Sequence, residues 1–384
     1  MGPRLQVDPV RLRSLRTRLG IPLDAAAKRV NVSETALAKW ESESAKLSVE
    51  TLQKLARSYK RNWYVFLLEE EDGFGKPAIP HDFRRRRGAA ASLGSDSLIA
   101  IDEAWLRLDK IEAVNDGQAA QPVPQVLRAT KDSDPEEIAA RFRKKLGVSM
   151  TFPAPVTDAY AALRAWIEAL TAVGIYISQV RMPTEEIRAF CLSRRSAHLI
   201  VLSNKDWPTA RIFSLIHEVG HLLLGSDAMC QPIEAGSVRA NHWEEPWCNH
   251  FAAAVLMPRA GLDANPRFHE LLAGEIEVGM GRALANEIGV SELALFRRLE
   301  TFGHISTAQY QALQDEADRS WDARAAREGD GFLVHSRRIV SKESPLLVRH
   351  VFDSYERGDL SYREVGMLLD APLRSIPKIR EATR

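Results

Sequence analysis

The segment "RIFSLIHEVGHLLLG", residues 211–225, constrains this chain more than any other. It is apolar enough for a protein interior, yet it carries His217, Glu218 and His221 in its middle. Its apolar spacing reads as a helix of about 15 residues. On a helix, positions i and i+4 share a face, so His217 and His221 present two imidazoles one turn apart. Buried ionisable groups need partners, and a single divalent cation can serve this set. Zinc takes His nitrogen at about 2.0–2.1 Å and works with three protein ligands and an open position. Glu218 cannot face a metal as the histidines do, but it can reach an activated water and take its proton. Two ligands and one general base is the logic of HExxH. The plain alternative is a core helix in which two histidines bracket a glutamate by chance. The flanks "IFSLI" and "LLL" argue for a buried helix and so for the metal.

A third donor is expected downstream on another element, and "HWEEPWCNHFAAAVLMP", residues 242–258, supplies candidates. Pro246 suits the first turn of a helix that ends at Pro258. Glu245 and Asn249 are four apart and face one way, so Glu245 reads as the third ligand and Asn249 as a group that orients a ligating histidine. Glu244 and His242 are alternatives. A set of His242, Cys248 and His250 would instead make a closed structural site, since a thiolate favours one.

The run "HLIVLSNKDWPTARIFSLIHEVGHLLLG" followed by "EEPWCNHFAAAVLMP" resembles the ImmA/IrrE family of metallopeptidases. That family pairs HExxH with a later E-x-x-x-N-x-F-A-x-x-x-L-M-P segment, matched here by Glu245, Asn249, Phe251, Ala252, Leu256, Met257 and Pro258. Cys248 replaces the usual small residue before the Asn. The resemblance covers residues 155–305. It implies a zincin-like fold, zinc held by His217, His221 and Glu245, and Glu218 as base. Manganese fits the same donors, because availability often decides which metal is bound.

The rest of the chain is organised around this segment. "IYISQV", "IRAFCLS" and "HLIVLS" read as strands at 175–180, 187–193 and 198–203. "IRAFCLS" is a candidate exposed edge to which an extended substrate could add, with an interior strand as the alternative. Tyr176, His242 and His250 are candidate oxyanion donors. Helices are expected at 97–115, 134–147 and 158–174, and from 265 onward; residues 284–303 have a helix-turn-helix look, and no internal repeat is evident. Fold class is therefore mainly α with a small β-sheet (α+β). The expected domains are 1–70, a linker at 71–95 that includes the run Arg84–Arg87, a peptidase domain at 96–262 and a helical region at 263–384, with a joint near 320–331. Three cysteines without a CxxC pair, no signal peptide and no long apolar run point to a cytoplasmic protein with no membrane partner. A net charge of +1 names no partner.

The first 62 residues differ, with 13 Lys/Arg against 6 Asp/Glu. Residues 11–68 resemble an XRE-type (Cro-like) all-α helix-turn-helix, with a second helix at 22–30 and a recognition helix from Ser33 to about Glu41. Ser33 is a good N-cap. Ala27, Val32, Leu37 and Trp40 fall at core positions. Ser33, Thr35 and Lys39 are the candidate DNA contacts, to phosphate rather than bases, because no Arg or Gln stands at the early exposed positions. A module that docks on protein is the alternative. The function expected from these features is a zinc-dependent regulatory endopeptidase. By resemblance its protein substrate is a helix-turn-helix transcriptional repressor. The alternatives are a DNA-binding regulator whose metal domain is a sensor or scaffold, and a toxin–antitoxin type interaction protein. The sequence fixes no oligomeric state.

Overall fold

The computed structural model describes residues 3–67, 83–84, 93–115, 127–153, 158–194, 197–225, 243–322 and 335–383. It forms two compact units. The expected linker lies largely outside the described residues, as do Arg85–Arg87, Cys230 and His242.

The first unit opens with strand β1 (Arg4–Val7), then helices α1 (Pro9–Arg18), α2 (Leu23–Val30) and α3 (Glu34–Ser42). β2 (Ala45–Ser48) and α4 (Val49–Ser58) follow. Asn31, at φ 59, makes the left-handed turn between α2 and α3, and Ser33 caps α3 by accepting from the Ala36 N–H. Ala27 and Leu37 are buried, while Val32 and Trp40 pack partly buried against the same core. The helix-turn-helix expectation thus holds, with one addition: β1 and β2 pair antiparallel, Arg4 opposite Ser48. These four-residue strands carry no clear alternation, which is why the sequence did not announce them. The first half of α5 (Ser95–Val114) belongs to this unit. Its Asp102, 2% exposed, pairs with Arg18 at 2.9 Å and with Arg61.

The second unit is built on a four-stranded sheet of order β3-β5-β6-β4. β3 is Phe83–Arg84, β4 Ile175–Val180, β5 Ala189–Ser193 and β6 His198–Ser203. β4 runs parallel to β6, and β5 antiparallel to it. β5 is therefore interior, not the exposed edge considered for "IRAFCLS": β3 pairs along its outer side at Ala189 and Phe190. Its near-continuous burial explains this, since a strand covered on both faces reads as an apolar run. The free side of β4 is covered by the helices His335–Glu343 and Pro345–Glu356. Ser344, between them, accepts the Ile177 N–H at 3.0 Å, and Tyr176 meets Asn115 (2.9 Å) and His350 (3.0 Å). One apolar core runs from Leu127 through the sheet and helices to Leu313, with no break at residue 262. No helix among the described residues is long and apolar enough to cross a membrane.

Candidate metal centre

The histidine helix spans Pro208–Leu224 and stops at Gly225, which adopts φ 51. It packs between the sheet, the helix Ala159–Ala172 and the glutamate helix Glu244–Leu256. His217 and Glu218 are fully buried, and His221 is 2% exposed. The glutamate helix brings Glu245 against both histidines. Its carboxylate oxygens lie 3.4 Å from His217 Nε2 and 3.4 Å from His221 Nε2, and the two Nε2 atoms are 3.1 Å apart.

These three spacings test whether the residues fit a metal. Donors at about 2.0–2.1 Å from one ion, in tetrahedral directions, stand roughly 3.3–3.4 Å from each other. The observed triangle has that size, and among the described residues this is the one such cluster of His, Cys, Asp and Glu. Two imidazoles and a carboxylate are also a donor set suited to zinc. Burial alone would raise the Glu245 carboxyl, but hydrogen bonds and charge from His217 and His221 outweigh it and hold it well below the usual carboxylate range. Glu245 is thus an anionic donor, 43% exposed at the rim of a buried histidine floor.

The rival ligands are placed elsewhere. Cys248 is buried and free, burial pushes its thiol up to about 11, and its sulfur is not one of the donors that converge on the His217–His221–Glu245 point. It hydrogen-bonds His221. Gly220 allows that approach: a Cβ there would lie 3.0 Å from Cys248 Sγ and 3.3 Å from its Cα. The side chain that lies against His221 is thus that of Cys248, the neighbour of Asn249, which was expected to orient a histidine. Asn249 is exposed and makes no hydrogen bond to His217 or His221. Glu244 is buried outside the donor triangle. Two expected oxyanion donors are engaged elsewhere, Tyr176 with Asn115 and His350, and His250 with Glu136 at 2.8 Å. The third, His242, lies outside the described residues.

What holds Glu245 in place comes from distant parts of the chain. A helix leaves its last carbonyls without partners. Here two buried arginines supply them: Arg143 donates to the Val255 carbonyl, and Arg298 Nε to the Met257 carbonyl at 3.0 Å. The Arg298 guanidinium also takes Glu136, at 2.8 Å through Nη2. Trp247 donates to the Ser133 carbonyl at 2.8 Å and stacks on Phe251. The "LMP" at the end of the glutamate helix is thus an anchored stop. The helix-turn-helix look of 284–303 is real in backbone, with Arg282–Ile288 and Glu292–Thr301 joined through left-handed Gly289. Its second helix, however, faces the core and delivers Arg298 to this anchor.

In the first unit Ser33, Thr35 and Lys39 are exposed. Ser33 Oγ and Thr35 Oγ1 lie 2.9 Å apart, and Lys39 stands 3.9 Å from Glu43.

Comparison with known families accords with both units. Residues 170–300 match the model of a peptidase family described as the IrrE N-terminal-like domain, and residues 12–65 match a helix-turn-helix model. No curated protein matches the chain.

Proposed function

We propose that this chain, an IrrE N-terminal-like peptidase domain joined to an N-terminal helix-turn-helix, is a zinc-dependent regulatory endopeptidase acting in the cytoplasm, and that its substrate is a helix-turn-helix transcriptional repressor. The observation that carries the reading is the His217–His221–Glu245 triangle with Glu218 beside it on the same buried helix. Zinc held by those three donors supplies Lewis-acid polarisation of water and of the scissile carbonyl. Glu218 takes the proton from the attacking water and returns it to the leaving amine, a positioned transfer worth about 10²–10⁴-fold. Glu218 follows His217 directly on the same buried helix. Cys248 and Gly220 fix the His221 ring, and the arginine-anchored helix end fixes Glu245. A regulator with an idle metal scaffold would have no use for a base at this position.

The test compares new protein N-termini in host cells expressing wild type or Glu218→Gln. One or a few termini that appear with wild type alone, in a small DNA-binding protein, support the proposal and identify the substrate. Matching profiles at rest and under stress overturn it in favour of a non-proteolytic regulator.

A further inference from the structure

The sheet of the second unit has two long sides, and they are closed differently. Helices cover β4, where Ser344 accepts the Ile177 N–H. The other side is the outer side of β5, a strand that packs on the histidine helix. The bonds of β5 to β6 show which way its main chain turns. Arg188 O accepts the Ser203 N–H at 2.8 Å, and Arg194 and Ala197 exchange main-chain bonds at 2.8 and 3.4 Å. In an antiparallel pair, alternate residues turn both N–H and C=O to the same neighbour. Arg188, Phe190, Leu192 and Arg194 therefore face β6, while Ala189, Cys191 and Ser193 face outward.

β3 lies on this outer side, antiparallel to β5, with Arg84 opposite Ala189 and Phe83 opposite Phe190. By the same alternation the main-chain groups of Arg84 turn to Ala189, and those of Phe83 turn away. Two facts mark β3 as an addition to the sheet. It is two residues long, against five in β5. It also comes from far upstream: β4, β5 and β6 all lie within residues 170–300, which match the peptidase family, and β3 does not. A strand of this length exchanges one pair of main-chain bonds with its neighbour, and the net worth of each is small because water competes for it.

We propose that the outer side of β5 is where the peptidase unit holds an extended peptide, and that β3 is a resident strand of the chain itself, which such a peptide must displace. A strand added to an edge gains affinity from main-chain bonds, which every sequence offers, and specificity from alternate side chains. The resident lowers the apparent affinity of each incoming peptide by the fraction of chains in which the edge is open. The inference rests on the peptidase reading for its link to cleavage, but the edge itself is tested without cleavage.

The probe is a fluorescein-labelled peptide of residues 79–90, IPHDFRRRRGAA. Its binding is followed by anisotropy on the full-length, zinc-loaded chain carrying Glu218→Gln, so that nothing is cut. Arg84→Pro removes the N–H that faces Ala189, and is expected to tighten peptide binding roughly tenfold. Phe83→Pro removes an N–H that faces away, and Arg84→Ala removes only charge; neither is expected to change it. The proposal is overturned if folded Arg84→Pro binds no more tightly than its parent, if Phe83→Pro tightens binding equally, or if a scrambled peptide gains as much. Should Arg84→Pro fail to fold, saturating peptide on the unaltered linker decides: hydrogen exchange must quicken in the chain's own segment at Arg84, and unchanged exchange there overturns the proposal. The host-cell comparison of N-termini separates the two readings. Tighter peptide binding with no new termini faults the peptidase reading alone. New termini with unchanged peptide binding fault the resident strand alone.

Discussion

The anchor behind the metal site can be tested through Glu136. Its carboxylate receives Arg298, itself fully buried, and His250 Nε2 at 2.8 Å. Burial alone would raise this carboxyl, but hydrogen bonds from Arg298 and His250 outweigh it and bring it down to about 2. Moving from 4.5 to about 2 corresponds to at most about 3.4 kcal/mol of stability. The Glu136 side chain is 38% exposed, so solvent screening cuts that to about 1–2 kcal/mol. A depressed carboxyl stabilises the fold above its unfolded value and loses that contribution as pH falls towards the folded one. Glu136→Gln should therefore cost about 1–2 kcal/mol at neutral pH. The gap from wild type should be roughly halved midway between 4.5 and about 2, and should close below that. Arg298→Met should cost more, about 3–5 kcal/mol, because it strands the Met257 carbonyl as well as Glu136. The assay is urea unfolding followed by tryptophan fluorescence at neutral and acid pH. A Glu136→Gln effect within about 0.5 kcal/mol at neutral pH, as for an ordinary surface substitution, or one that does not shrink on acidification, would refute the reasoning.

Three further outcomes follow from the same structure. Burial holds His198 neutral, lowering it to about 4, so its share of stability, up to about 3 kcal/mol, is complete above 6.5 and is lost as pH falls towards 4; His198→Phe should flatten that part of a stability–pH curve. Gly220→Ala brings a methyl within 3.3 Å of the Cys248 backbone, so it should cost about 1–3 kcal/mol and weaken zinc binding measured by competition with a chelator, and Cys248→Ala should partly restore both. Ser33→Ala removes the cap on α3 and should cost about 1 kcal/mol in thermal unfolding of the first unit.

What the sequence revealed and what it hid divide along physical lines. Local signals survived. The period of the histidine helix, the six-residue runs of β4 and β6, and Ser33 as a cap depend on neighbours in the chain, and the structure has them where the residues imply. The candidate donors were legible because i and i+4 on a helix must share a face. Long-range pairings were not. Arg298 lies 162 residues from Glu136, and nothing local says that a basic residue on a helix-turn-helix pattern will turn inward to cap another helix. β5 read as a possible edge because its partner β3 is two residues long. Asn249 shares a face with Glu245 by spacing, but the side chain against His221 is that of Cys248.

The proposed function stands on zinc held by His217, His221 and Glu245, with Glu218 beside it as the base. Elemental analysis of purified wild type, Glu245→Ala and Glu218→Gln, after dialysis against a weak chelator, tests it most directly. About one zinc per chain is expected in wild type and in Glu218→Gln, with loss of that zinc in Glu245→Ala. Equal zinc in all three, or none in wild type after zinc loading, would contradict it.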